Sequence, residues 1–281
     1  MNINDAIALG GDALRQASIA EPEREVNLLL RHSLKRDAAF IYAHPEYRLD
    51  AVESILFKAV LKRRVAGEPF QYISGVQEFY GHEFKVAPDV LIPRPETEIL
   101  VEAAIKELDH KADAKFCEIG VGSGCIAISI LKAVPSAVAV AVDISKAVID
   151  VARMNADSHD VLDRLSLKES DVFSNVSEFE FDLIVSNPPY VTLPDIETLQ
   201  KEVREFEPRT ALAGGQDGLD IIRTLVSEAP KYLRPKGMLL IEIGWDQSDR
   251  VREMFENRTW HDLMLLDDLQ GIPRIVQARL N

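Results

Sequence analysis

From about residue 115 to the carboxyl end, short apolar runs alternate with amphipathic ones. "KFCEIG" reads as a buried strand, "CIAISILKAV" as a helix, "AVAVAV" as a strand, and "SKAVIDVARMNA" as a helix opened by Ser145 as its N-cap. "FDLIVS" and "GMLLIEIG" follow as buried strands, with "GLDIIRTLVSEAPKYL" a helix between them and "RIVQARL" a closing strand. Strands that are apolar throughout need cover on both faces, and alternation with helices supplies it when the strands run parallel. The pattern predicts an α/β chain with a mostly parallel, Rossmann-like sheet. In such sheets ligands bind beyond the carboxyl ends of the strands, so the residues at those ends decide function.

The amino-terminal part has another texture. Residues 1–70 read as an all-helical domain: Pro22 suits the first turn of a helix carrying Val26, Leu29 and Leu30. Asp50 with Glu53 makes a capping-box start for a second helix, whose apolar face is read as Val52, Ile55, Leu56, Ala59 and Val60, ending at Gly67. Lys58, Lys62, Arg63 and Arg64 complement that helix's dipole, a docking patch being the alternative. Residues 71–95 read as a hairpin punctuated by Gly75 and Gly81, then a connector stiffened by Pro88, Pro93 and Pro95. The remaining segment, 96–281, holds the sheet.

Charge supports this division. Of a formal net charge of −14, residues 1–75 contribute nothing, with ten Lys or Arg against ten Asp or Glu, and the rest of the chain carries 22 basic against 36 acidic residues. An acidic larger domain is a poor partner for a phosphate backbone, so no nucleic-acid substrate is expected. The amino terminus "MNINDAIALGGDALRQ" lacks a signal or transit pattern, and no apolar run reaches membrane-spanning length. Cys117 and Cys125 form no CxxC pair and stand with no His cluster, so the expectation is reduced thiols, no metal, and a cytoplasmic protein. Nothing in the sequence demands more than a monomer.

Two strand ends carry chemistry. The first strand runs into "EIGVGSG", where Gly120, Gly122 and Gly124 allow a tight turn and close approach of a ligand at a helix N-terminus. The spacing is G-x-G-x-G, not the G-x-G-x-x-G of dinucleotide binding. Asp143 ends the next strand, where a carboxylate can accept from both ribose hydroxyls. In "ESDVF", Asp171 and Val172 are placed to read an adenine amine and cover its face. These features suit any adenosine cofactor, S-adenosylmethionine and NAD alike.

"SNPPY" separates them. A planar amide or aromatic amine is a feeble nucleophile because its lone pair is delocalised, so methylating it requires aiming that lone pair at an electrophilic carbon. The Asn187 side-chain oxygen and the Pro188 carbonyl can each accept one N–H of such a group, Pro188 and Pro189 keep those acceptors stiff, and Tyr190 offers a flat wall. An adenine-N6 methyltransferase shares this logic; an NAD-dependent oxidoreductase leaves the motif unexplained.

Taken with "EPFQYISGVQEFYGHEFKVAPDVLIPRPETE", "EVREFEPRTALAGGQDGLDIIR" and "LLIEIGWDQ", these motifs resemble the peptide chain release factor glutamine methyltransferases of the HemK/PrmC type, within the class I S-adenosylmethionine-dependent methyltransferases. The resemblance implies a seven-stranded catalytic domain behind a small helical domain that helps dock the substrate protein. It implies S-adenosylmethionine as cofactor and the GGQ glutamine of a release factor as methyl acceptor. The turn from Gly120 through Val121, Gly122 and Ser123 to Gly124, with Asp143, Val172 and Asn187, would contact the cofactor. Asn187, Pro188, Pro189 and Tyr190 would hold the glutamine, with Asn187, Pro188 and Tyr190 as catalytic groups. Glu118 stands where Asp is common and Val172 where a bulkier aromatic can occur. Gly214, Gly215 and Gln216 spell the substrate's own motif, but read as a Gly-rich turn before a helix, without a catalytic role.

Overall fold

The computed structural model describes residues 1–177, 180–256 and 258–281. It forms two compact units, Met1–Val76 with Gln200–Phe206, and Gln77–Leu199 with Glu207–Asn281.

The first unit holds α1 (Ile3–Gln16), α2 (Pro22–Leu34), α3 (Ala38–Ala43), α4 (Ala51–Val65) and α5 (Phe70–Ser74). Reciprocal capping boxes at Asn2 with Asp5 and at Asp50 with Glu53 satisfy the first amides of α1 and α4. The core gathers Ile3, Leu14, Val26, Leu29, Leu30, Ile41 and Phe57. On α4 the buried stripe is Phe57, Val60, Leu61 and Arg64, while Val52 and Ile55 are 72% and 70% exposed. The apolar face expected there is thus rotated. Arg64 can sit on the inner face because its guanidinium pairs with Glu25 at 2.6 Å and with Glu202, from the returning segment, at 2.9 Å. That return of Gln200–Phe206 into the helical unit had no signal in the sequence.

The second unit opens with a hairpin of β1 (Val76–Phe79) and β2 (His82–Lys85), turned through Tyr80 and Gly81, both at positive φ. Then come α6 (Glu98–Leu108), β3 (Lys115–Ile119), α7 (Cys125–Ala133), β4 (Val138–Asp143), α8 (Lys146–Ser158), β5 (Leu165–Glu169) and β6 (Phe181–Ser186). Short helices α9 (Leu193–Ile196), α10 (Lys201–Phe206, in the first unit) and α11 (Arg209–Leu212) precede α12 (Asp220–Glu228), β7 (Leu233–Glu242), α13 (Ser248–Met254), β8 (Trp260–Asp267) and β9 (Pro273–Leu280). The seven-stranded sheet has the order β5-β4-β3-β6-β7-β9-β8, parallel from β5 to β7 and antiparallel beyond. The parallel part is what the alternation predicts, and the seven strands fit the class I methyltransferase domain that the resemblance implies. β8, an edge strand with half-exposed residues, was not read from the sequence. The helix predicted through Leu233 stops at Glu228, and Pro230 lies in a 3₁₀ turn after it.

The order reverses at β3, which has β4 on one side and β6 on the other. A crevice therefore opens beyond the carboxyl ends of β3, β4 and β6. No helix among the described residues is long and apolar enough to cross a membrane.

Candidate active site

The glycine turn after β3 is built for close approach. Gly120, Gly122 and Gly124 have φ of +80°, +53° and +84°, which only glycine adopts without strain, and a Cβ on Gly122 would meet nothing within 4 Å. Gly120 and Val121 both donate to the Val142 carbonyl at 2.9 Å, so the turn is bolted to β4. The Asp143 carboxylate accepts from Gly122 N and Ser145 N, each at 3.2 Å, and retains lone pairs for a ligand. Burial raises its pKa, opposed by these backbone amides.

Beyond β5, Ser170 Oγ donates to the Val172 carbonyl at 3.0 Å and accepts from Asn175 N at 2.9 Å. These bonds hold Val172 at φ +47°, an uncommon conformation for a β-branched residue. Val172 and Asp171 thereby face the same crevice as the glycine turn.

The stiff stretch after β6 is tied down from several sides. Ser186 Oγ donates to the Ile119 carbonyl at 2.7 Å, joining the ends of β6 and β3. Asn187 Nδ2 donates to Thr97 Oγ1 at 3.1 Å. Among the described residues no donor reaches Asn187 Oδ1 or the Pro188 carbonyl oxygen. Behind the loop, Val191 N donates to the Leu212 carbonyl and Gly214 N to the Val191 carbonyl, both at 2.9 Å. Gln247 Nε2 donates to the carbonyls of Tyr190 at 3.0 Å and Gly218 at 3.2 Å. The "AGGQDG" segment is a turn before α12, as expected, and Gly214 and Gly218 lie against the backbone of "PPY": a Cβ on Gly214 would come within 2.6 Å of the Pro189 carbonyl oxygen.

Under the loop lies a buried acid. The Tyr190 hydroxyl donates to Glu242 Oε1 at 3.3 Å, at the end of β7. Burial pushes the Glu242 carboxyl up to about 7, opposed by hydrogen bonding from Thr97 and Tyr190 and by the charge of Arg274. Burial likewise raises Glu118, whose Oε2 accepts from Ala127 N at 2.9 Å, and pushes the Cys125 thiol up to about 12, so that thiol stays protonated. Cys117 and Cys125 are both free and buried.

The Glu242 shift has a thermodynamic consequence. A carboxyl whose folded pKa lies above its unfolded value binds more protons in the folded state, so stability falls as pH rises from about 4.5 to about 7. Glu242→Gln removes that loss, and the variant is expected to gain about 3 kcal/mol over the wild type between pH 5 and pH 8. Urea unfolding of both proteins at the two pH values checks this; equal pH dependence refutes it.

These elements enclose a cavity of about 390 Å³, lined by Gly120, Val121, Gly122 and Ser123, by Asp143, Asp171 and Val172, and by Asn187 and Pro189. That size falls within the roughly 300–1,000 Å³ usual for small-molecule sites. An open glycine cradle beside a carboxylate with free lone pairs fits an adenosine cofactor. Gly124, Pro188 and Tyr190 do not line the cavity: Gly124 packs on Ile128 and Ala152, Pro188 is buried, and the Tyr190 phenol turns toward Glu242.

Thr97 and Glu242 escaped the sequence reading. Thr97 stands at the N-cap of α6, where a threonine is ordinarily read as a cap, yet its side chain makes no capping bond. Glu242 was legible as a charged residue in the otherwise apolar run "GMLLIEIG".

Comparison with known proteins agrees with this geometry. Residues 5–75 match the model of the PrmC N-terminal domain and residues 96–203 that of the methyltransferase small domain. A release factor glutamine methyltransferase of Geobacter sulfurreducens is 42% identical over 267 residues, covering 95% of this chain and 93% of that protein. One of Cereibacter sphaeroides is 40% identical over 280 residues, covering 100% and 99%. The crystal structure of a methyltransferase from Pyrococcus furiosus, 18% identical, shares the fold with a TM-score of 0.54 over 78% of this chain and 96% of that one. With such identity along nearly its whole length, on a class I methyltransferase sheet whose crevice fits S-adenosylmethionine, the chain belongs to the release factor glutamine methyltransferase family.

Proposed function

We propose that this protein transfers a methyl group from S-adenosylmethionine to the side-chain amide nitrogen of the glutamine in a release factor's GGQ motif, in the cytoplasm where translation terminates. The observation that carries the reading is the pair of unused acceptors, Asn187 Oδ1 and the Pro188 carbonyl, at a strand end beside the glycine cradle. S-adenosylmethionine supplies an electrophilic sulfonium methyl. Asp143 would hold the ribose hydroxyls, the turn from Gly120 to Ser123 would let the ligand approach the backbone, and Asp171 with Val172 would take the adenine. Asn187 and Pro188 would each accept one N–H of the glutamine amide, directing the nitrogen lone pair at the methyl group; as the N–C bond forms the C–S bond breaks, S-adenosylhomocysteine leaves with the electron pair, and one of the two N–H protons is lost to solvent. The two prolines keep the acceptors from yielding, and the pinned loop means little reorganisation is needed when the amide arrives. The acidic excess beyond residue 75 favours a protein substrate over nucleic acid.

Mass spectrometry of a release factor incubated with enzyme and S-adenosylmethionine tests the whole reading: one added methyl on the GGQ glutamine supports it, and an unmodified glutamine refutes it. Asp143→Ala is expected to weaken S-adenosylmethionine binding by roughly 1.5–3 kcal/mol with the fold retained, measured by calorimetry. Unchanged affinity would remove Asp143 from the cofactor site.

The helical unit is assigned to docking of the release factor. Its exposed Val52 and Ile55, with Lys58 and Lys62 nearby on α4, offer apolar and basic contact area that its own core does not use. Val52→Asp combined with Ile55→Asp is expected to raise KM for the intact factor about tenfold or more, leaving cofactor affinity unaltered. Steady-state kinetics with an unchanged KM would exclude this face.

A further inference from the structure

We propose that Thr97 and Glu242 are positioning residues that decide which atom of the Asn187 amide faces the substrate, with Glu242 setting the polarity of the relay. This deepens the reading of Asn187 as the acceptor for the glutamine amide and rests on it.

Oxygen and nitrogen of an asparagine amide are nearly isosteric, so a half-turn about the last side-chain bond exchanges them at little steric cost. One orientation presents an acceptor to the incoming N–H; the other presents NH₂ to NH₂ and repels it. In the structure Nδ2 donates to Thr97 Oγ1, which leaves Oδ1 for the substrate. Thr97 alone cannot enforce this, because a hydroxyl accepts from an amide nitrogen as readily as it donates to an amide oxygen.

Glu242 removes the ambiguity. Its side chain is buried, Oε1 accepts from the Tyr190 hydroxyl, and Oε2 has no hydrogen-bond partner among the described residues. Thr97 is buried too and its hydroxyl donates to no other described acceptor, while hydrogen bonding from it is among the influences that hold the Glu242 carboxyl's pKa down, so the relay assigns its hydrogen to Oε2. An ionised carboxylate only accepts, so it claims the single Thr97 hydrogen and leaves Oγ1 nothing but lone pairs for Asn187. A flipped Asn187 would set Oδ1 against those lone pairs. A protonated Glu242 can instead donate to Thr97, freeing the Thr97 hydrogen for Oδ1, and the relay reverses. The charged and titratable groups facing Glu242 are Tyr190 after β6, Glu96 before α6, Arg274 on β9 and Cys125 on α7. Arg274 favours the ionised form and Glu96 opposes it; burial brings the carboxyl to about 7, within reach of physiological pH.

The test compares wild type with Thr97→Val, Thr97→Ser, Glu242→Gln and the Thr97→Val/Glu242→Gln double variant in single-turnover methylation of a release factor across neutral pH. The Asn187 side-chain amide is followed by NMR, its signals identified by their loss in Asn187→Asp. Thr97→Val is expected to slow transfer on the order of tenfold to a hundredfold with little change in S-adenosylmethionine affinity, and Thr97→Ser to recover most of the rate. Glu242→Gln is expected to slow transfer about tenfold and to erase the acid limb of the pH profile, the double variant being no slower than the slower single one. The Asn187 amide signals should move with pH in wild type and stay still in Glu242→Gln. A wild-type rate and unaltered acid limb in Glu242→Gln overturn the proposal, as does a Thr97→Ser enzyme as slow as Thr97→Val. Should Glu242→Gln not fold, the two Thr97 variants and the wild-type NMR titration decide, and Asn187 signals indifferent to pH overturn it. A wild-type protein that leaves the GGQ glutamine unmodified refutes the proposed function instead, while the titration still reads the relay.

Discussion

Asn187→Ala is expected to fold, to bind S-adenosylmethionine measurably, and to transfer the methyl group roughly a hundredfold to a thousandfold more slowly, as loss of one preorganised contact does elsewhere. The substitution removes the Oδ1 that would accept from the glutamine amide and the Nδ2 that bonds Thr97 at 3.1 Å. It spares the glycine turn, Asp143, and the Ser186 bond to Ile119 that ties β6 to β3, so cofactor binding and the loop's anchorage suffer less. Asn187→Asp keeps an acceptor of the same shape but places a second oxygen against Thr97, where it competes with Glu242 for one hydrogen. Its added charge beside a sulfonium tightens cofactor binding while misplacing the reacting groups, so intermediate activity is expected. Single-turnover rates with saturating cofactor measure both variants. A near wild-type rate for Asn187→Ala would return "NPPY" to the status of a rigid turn.

The second large effect is expected at Gly218, which the chemistry never touches. Its φ is +76°, and a Cβ there would collide with the Tyr190 carbonyl oxygen and come within 2.6 Å of Gln247 Nε2. Gly218→Ala must therefore push the "PPY" backbone away or break the Gln247 bonds to Tyr190 and Gly218 that hold it. A displacement of about 1 Å in a positioning loop can cost about a hundredfold in rate, and the strain with overpacking should cost about 3 kcal/mol of stability. Gly271→Ala is the control. Gly271 has φ of +78° but open space around its Cβ, so it should lose only about 1–2 kcal/mol and keep its turnover. Chemical denaturation and turnover at a temperature where both variants are folded separate the effects; equal kinetics in the two would show that the Gly218 turn does not position the loop.

Where the reading from sequence succeeded, the signals were local. Alternating apolar runs announced β3, β4, β6 and β7 because strands buried on both faces need unbroken apolar stretches, and β6 is buried at every position. β8 escaped because an edge strand is solvated on part of its surface, and "HDLMLLDD" carries the polar residues that solvation permits. On α4, Val52 and Ile55 fitted an amphipathic stripe as well as Phe57 and Leu61 did. What turned the helix was the volume of Phe57 and the partners available to Arg64, both properties of the neighbours.

Gly120, Gly122 and Asp143 were visible in the sequence because positive φ demands glycine and a carboxylate at a strand end is exceptional in an apolar context. "NPPY" was visible because two prolines cannot join a ladder. The tertiary structure alone decided what stands behind those motifs. Thr97 is 90 positions from Asn187 and bonds its amide; Glu242 is 52 from Tyr190 and receives its hydroxyl; Gln247 is 57 from Tyr190 and holds its carbonyl. Thr97 and Gln247 look ordinary in their own stretches, as a helix cap and a polar residue in a loop, and Glu242 stands out as a carboxylate in an apolar run without showing what it would meet. Their role comes from convergence at the carboxyl edge of one sheet, and a partner that distant leaves no imprint on local periodicity or composition.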